Sequence, residues 1–200
     1  MPLTTTGAND ILTNGLTDFT HVGAYTDLGT TEVAGGSYAR QAVTWAAAAS
    51  RLRDNTAQLT IPIPAATTVF VGSVHDAASA GNLEAWFQIG STLRGVGTVI
   101  TAVGDAVSSN GHGLVNTNRV FVQPVAGEAL PAGLSAATLY FVVGATTDSF
   151  QVSLTSGGAA VDITALGDLA WFRTVPETFG SAGNLVIATG ALDIDLSFVI

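Results

Sequence analysis

The chain has 200 residues, 48% of them hydrophobic and only 10% charged, with a formal net charge of −9 and no cysteine. No apolar run approaches the roughly 18–20 residues of a spanning helix, and disulfides, thiolate catalysis and cysteine metal sites are excluded. All six basic residues are Arg, and only Arg51 and Arg53 lie close together, so the clustered cations that a phosphate backbone requires are missing. The opening Met1-Pro2-Leu3-Thr4-Thr5-Thr6-Gly7 has neither a basic n-region nor an apolar h-region, which leads us to expect a protein that acts where it is made or leaves by cell lysis.

In chain order, Asn9–Leu16 reads as a short helix capped by Asn9 or Asp10, with Ile11, Leu12 and Leu16 as its apolar side. Strands are predicted at His21–Thr26, Gln41–Ala47, Ala57–Ile63 and Thr67–Val74. Pro62 marks Ala57–Ile63 as an edge strand or a strand end. The run Trp45-Ala46-Ala47-Ala48-Ala49-Ser50 favours helix by propensity, but the period-two pattern before it favours a strand through Ala47 followed by a loop. Further strands are expected at Leu83–Ile89, Thr98–Val103, Arg119–Val122, Thr138–Val143, Ser149–Leu154, Ala160–Ile163, Leu169–Arg173, Leu185–Thr189 and Leu192–Val199. Ser156-Gly157-Gly158 and Leu130-Pro131-Ala132-Gly133 read as turns. Ser79-Ala80-Gly81-Asn82-Leu83 recurs as Ser181-Ala182-Gly183-Asn184-Leu185, which reads as one turn motif used twice. Many short strands with little helix point to an all-β, antiparallel sandwich or barrel-like fold with one short N-terminal helix.

No pattern carries catalysis. His21, His75 and His112 are far apart, and no His-x-x-x-His or His-Glu-x-x-His spacing exists. His75-Asp76 reads as a solvated turn pair, since neighbours on a strand face opposite ways. There is no Gly-x-Ser-x-Gly, and Asn110-Gly111-His112-Gly113 lacks the Lys and the helix of a phosphate loop. It reads as a tight loop that leaves His112 well exposed for a contact. Asp193 and Asp195 share a strand face at about 6.5–7 Å, a spacing some glycosidases use, but solvent exposure on a strand near the chain end explains them better, since no aromatic cluster surrounds them to line a sugar cleft. A calcium site from these or from Asp162 and Asp168 lacks regular oxygen spacing. Trp45, Trp86 and Trp171 each lie within apolar strands and read as core anchors first and interface residues second. No catalytic residue, cofactor or metal ligand is therefore assigned.

The string Gly35-Gly36-Ser37-Tyr38-Ala39-Arg40-Gln41-Ala42-Val43-Thr44-Trp45 resembles a family of small tailed-bacteriophage virion proteins, variously tail-fibre-like, minor tail or head-associated. The resemblance extends over His21–Thr26, Glu32–Trp45, Thr67–Gly72, Asp76–Trp86 and Ala182–Ser197, about half the residues. Short members of that family lack a stretch like Leu93 to about Val175. This stretch is similar to small β modules of phage structural proteins, through His112-Gly113-Leu114, Arg119–Val122, Leu130–Leu134, Tyr140–Val143 and Phe150–Leu154. The resemblance thus implies a discontinuous scaffold domain, 1–94 with 176–200, and an inserted β domain, 95–175. Insertion at a loop tip is physically easy when the host's ends lie close.

It also implies a non-enzymatic virion protein, assembled in the bacterial cytoplasm, binding capsid or tail subunits and forming an oligomer, a trimer suiting local threefold positions. Capsid decoration is placed ahead of a tail-fibre or minor tail role, because neither shaft repeats nor coiled-coil heptads are present. The alternatives are a receptor- or carbohydrate-binding module and, without positive support, a hydrolase. Neither nucleic acid nor membrane is an expected partner. Tyr38, Arg40 and His112 are the candidate interface residues, with Arg40 a candidate for a buried or intersubunit ion pair.

Overall fold

A computed structural model of the chain describes residues 4–28, 31–99, 104–125 and 127–195. Over the described residues it is predominantly antiparallel β, with one short helical segment near the N-terminus, as the sequence pattern requires. That segment starts earlier than expected. Thr4, rather than Asn9 or Asp10, caps it, its Oγ1 accepting the Gly7 N–H at 3.1 Å. The helix Thr5–Asp10 runs into a π turn over Ile11–Gly15, which buries Leu12 completely. Asn9 instead accepts a hydrogen bond from the Arg51 N–H at 2.9 Å.

The chain divides into two compact units, one of residues 1–26, 32–87 and 178–200, the other of 27–31 and 88–177. In the first unit, a sheet takes the order Gln41–Ala42, His21–Tyr25, Val71–His75, Leu83–Gln88. Two-stranded ribbons then tie the front of the sequence to its back. Leu59–Ile63 pairs with Gly183–Ile187, Leu52–Asp54 with Asp193–Asp195, and Thr67–Val69 with the strand at Glu177–Phe179. Asn55, 2% exposed, locks this arrangement. Its Nδ2 donates to the carbonyls of Ala57 (2.8 Å) and Ala188 (3.0 Å), and its Oδ1 accepts the Leu192 N–H (2.9 Å). A buried amide is tolerated only when its polar atoms are satisfied in this way.

The alanine run is not the strand expected over Gln41–Ala47. The strand stops at Ala42, and 44–56 folds into an irregular hairpin closed by Ser50 (φ 53°) and Arg51 (φ 70°). Ala49 and Leu52 exchange both backbone bonds at 2.9 Å across that turn. Consecutive positive φ values give the twist that hairpins favour. No Asn-Gly marked it, because here non-glycine residues bear the strain.

The second unit holds a closed barrel in the order Arg119–Pro124, Leu139–Val143, Ser149–Ser153, Val107–Ser108, Arg94–Val99, Gly167–Thr174, and back to the first. Period two decides which side chains fill it. Val120, Val122, Tyr140, Val142, Phe150, Val152, Leu169 and Trp171 share one buried cluster. Gly95 and Gly97 make the room, since a Cβ on Gly95 would lie 2.7 Å from the Trp171 ring and one on Gly97 would collide with Val107. The outward positions carry a second layer, with Phe121 stacked on Phe172 at 5.1 Å and Arg119 lying 3.9 Å over the Phe141 ring.

Several strand limits differ from expectation. Thr67–Val74 breaks at Phe70 into Thr67–Val69 and Val71–His75. Ala160–Ile163 is not a strand: the Val161 N–H bonds the Val152 carbonyl and the Ile163 N–H bonds Asp105, so this segment plugs the barrel with a fully buried Ile163. The expected turns at Gly157 (φ 67°) and Gly133 (φ 102°) are present. Of the runs Thr98–Val103 and Leu192–Val199, residues 100–103 and 196–199 lie outside the described residues.

Candidate functional site

The Gly-Gly-Ser-Tyr-Ala-Arg string forms a loop held from beneath. Glu32 bridges to Tyr25 and the Val33 N–H bonds the Ala24 carbonyl (2.9 Å), so the loop leaves the sheet from a fixed edge. Gly35 (φ 88°) and Gly36 (φ 57°) then reverse the chain, a conformation that L side chains resist. The Tyr38 hydroxyl donates to Glu32 Oε1 at 2.8 Å and accepts the Ala24 N–H at 3.0 Å. Arg40 donates through Nε and Nη2 to the two Glu32 oxygens, each at 2.7 Å, and through Nη1 to the carbonyls of Ala77 (3.0 Å) and Ala80 (2.6 Å). Its side chain is 8% exposed and that of Glu32 25%. One guanidinium thus pins the 32–40 loop and the 76–82 turn together through its planar fork.

Gly23 lies under this network for a steric reason: a Cβ there would come within 2.8 Å of the Tyr38 hydroxyl and 3.0 Å of Ser73 Oγ. Behind it, His75 is 1% exposed, so the reading of His75-Asp76 as a solvated pair holds only for Asp76. His75 Nδ1 faces the Asn82 carbonyl (3.1 Å), which can only accept, so Nδ1 carries the proton and Nε2 accepts from Ser73 Oγ (3.0 Å). Ser73 and His75 are both fully buried, and the pair serves to tie strand to turn. Asp76 caps the turn, accepting from the Asn82 N–H (2.7 Å) and Nδ2 (2.9 Å).

Charge follows the geometry. Burial opposes ionisation of Glu32, but hydrogen bonds from Arg40 and Tyr38 outweigh it and hold the carboxyl below its ordinary value. Burial, reinforced by the Glu32 hydrogen bond, pushes the Tyr38 phenol far above its usual range. The bond to Glu32 raises Arg40 further. Burial first, and the Arg40 charge second, push the His75 imidazole down.

The other sequence candidates do not join this site. His112 is 5% exposed, against the expectation of an exposed loop residue. Gly111 (φ 61°) and Gly113 (φ 67°) turn the imidazole inward against Phe150 and Trp171, with centroids at 5.2 and 6.4 Å. Its Nδ1 accepts the Leu114 N–H (2.9 Å) and its Nε2 donates to the Ser149 carbonyl (3.2 Å). Trp171 is a core anchor, 2% exposed, its indole N–H bonded to Ser109 Oγ at 3.0 Å, whereas Trp45 and Trp86 are half-buried. Asp168 is taken up by Thr98 Oγ1 (2.5 Å). Among the described residues, no group of three His, Asp or Glu side chains is arranged to hold a metal ion.

Two shallow concavities flank the Gly35–Ser37 loop. One, of about 480 Å³, is lined by Glu32, Tyr38, Arg40 and Ser79; the other, of about 350 Å³, by Ser37, Pro62, Pro64 and Asn184. Sequence reasoning singled out Tyr38 and Arg40 but missed Glu32, which binds both, and the buried His75 behind them. The signal for Glu32 was present: an acid eight residues before an isolated Arg across a Gly-Gly turn.

Residues 19–106 match a family model described as "Podophage GP4 fiber I protein gp80". No curated protein and no solved structure matches the chain. The matched stretch contains the whole Glu32–Tyr38–Arg40 network, and the similarity supports a phage virion protein of fibre-like type.

Proposed function

We propose that this chain is a non-enzymatic tail-fibre component of a podophage-like virion, held in place by protein–protein contacts with other virion subunits. The observation that carries the reading is the fibre-protein match over residues 19–106, which contains the loop anchored by the Arg40–Glu32 pair. The fibre role moves ahead of capsid decoration because the matched family is a fibre family, and nothing comparable supports the shell. A partly buried, hydrogen-bonded ion pair beneath a glycine loop suits a surface that must keep one shape while a partner docks on it. Low charge fits as well, since interface cores are depleted of charged residues. Tyr38 and Arg40 act from below as positioning residues, shaping the Gly35–Ser37 loop.

The test is gold-labelled antibody against this chain on intact particles, imaged by electron microscopy. Gold on the tail appendages is the expected result. Gold spread over the head shell would overturn the fibre reading in favour of decoration.

A further inference from the structure

The ribbon of Leu59–Ile63 and Gly183–Ile187 has two edges of different chemistry. Its register pairs Ile63 with Gly183, Pro62 with Asn184 and Leu185 with Ile61. Pro62 has no N–H, so the Ile63–Gly183 pair must itself exchange backbone bonds, and by alternation so do Ile61–Leu185 and Leu59–Ile187. The backbone groups of Asn184 and Val186 therefore point away from the ribbon, as do those of Thr60 and Pro62 on the opposite edge. Pro62 blunts that opposite edge in the way natural sheets protect themselves.

The 183–187 edge has no such protection. Among the described residues, Asn184 and Val186 make no hydrogen bond beyond the ribbon. Val186 is 52% exposed, while Leu185 and Ile187 face the core at 5% and 8%. The strand contains no proline, charge or bulge. It also lies in an electrostatic blank: residues 55–74 and 178–192 contain no Asp, Glu, Lys or Arg, in a chain of net charge −9. Two copies of such a chain repel over most of their surface, but not here.

We infer that the Gly183–Ile187 edge is a self-association site, where the same strand of a second copy adds antiparallel across a twofold axis through Leu185. The outward groups are self-complementary in that register. Asn184 exchanges both backbone bonds with Val186 of the second copy, and the reverse pair repeats them, giving a continuous four-stranded sheet. An isologous contact of this kind closes on itself and leaves as outer edges only the Leu59–Ile63 strands that Pro62 blunts.

The experiment is the solution mass of the full chain, by light scattering after gel filtration, for the wild type, V186P and V186K. Val186→Pro removes an N–H that the ribbon does not use, so far-UV circular dichroism stays unchanged while the edge is blocked. Val186→Lys places a charge on it. The expected result is a wild-type mass of two 20.2 kDa chains and a twofold fall in both variants. In a background without cysteine, N184C/V186C also forms an oxidation-dependent covalent dimer, because bonded antiparallel pairs bring Cα atoms to about 5.5 Å, within disulfide reach. A wild-type mass of one or three chains, or a two-chain mass that survives both substitutions, would overturn the site.

Discussion

The two units solve the same β problem in opposite ways. The barrel is drawn from one continuous stretch, 94–174, and closes on itself, so its ladders satisfy one another and its interior is filled by alternate side chains around Trp171. The other unit is stitched from the two ends of the sequence by short ribbons and relies on polar groups, the buried Asn55 and His75 and the partly buried Glu32–Arg40 pair, to hold segments that strand pairing alone leaves short. Closure favours apolar packing; stitching favours hydrogen bonds of defined geometry. The units should accordingly fail in different ways.

Trp171→Ala tests the barrel most severely. Truncating a fully buried Trp costs about 4 kcal/mol and leaves Ser109 without its indole partner. Two units break two-state behaviour, so hydrogen exchange is the right measurement. Protection should fall across Arg94–Thr174 and persist at His21–Tyr25; loss in both would dissolve the contrast. Asn55→Ala is the counterpart, with about 3 kcal/mol lost because the Ala57 and Ala188 carbonyls and the Leu192 N–H lose their partner. Here protection should fall at Leu59–Ile63 and Gly183–Ile187 while the barrel remains.

Arg40→Ala comes third, at about 2 kcal/mol, because the pair is partly solvated but carries four hydrogen bonds. Its reading is faster exchange or proteolysis confined to 32–40 and 76–82. The smallest effect is a pH slope. The folded state depresses the His75 pKa, so the unfolded chain takes up that proton first on acidification. Its stabilising contribution is complete above about pH 6.5 and is lost as the pH falls through the folded value. The depressed Glu32 carboxyl adds a second stabilising contribution, complete above its ordinary 4.5 and lost at more acid pH. Denaturant titrations at about pH 7 and about pH 5.5 should show a first-unit loss that His75→Gln reduces; an unchanged slope would place the acid sensitivity elsewhere.

What the residues disclosed follows the same division. Period-two alternation located the strands at Arg119–Pro124, Leu139–Val143, Ser149–Ser153 and Gly167–Thr174 to within a few residues, because Val120/Val122, Tyr140/Val142 and Phe150/Val152 face a common interior, but it set Arg94–Val99 four residues late and gave no strand at Val107–Ser108, whose two residues are too few to show a period. The stitched unit was harder to read, since its logic is tertiary. Ser-Ala-Gly-Asn-Leu shows why: at 79–83 it contains a left-handed Ala80–Gly81 turn (φ 53° and 68°) whose carbonyl receives Arg40, and at 181–185 it runs into a strand opposite Ile63 and Pro62. Asp76 precedes one copy and bonds Asn82; no such acid precedes the other. The same five letters obey their surroundings, so the expected single turn motif divides into two structures. His112 misled for a related reason: glycines on both sides permit exposure, but here they serve to turn the ring into the barrel.

The way the barrel begins and ends has a consequence for how such chains can change. The Ile89 N–H reaches Thr174 Oγ1 at 3.3 Å and the Val175 N–H bonds the Ile89 carbonyl at 2.9 Å, with Gly90 packed against Val175. The module therefore begins and finishes at one clasp a single strand spacing wide. A module whose two ends lie on neighbouring antiparallel strands presents the narrow footprint that insertion into an exposed loop tolerates best.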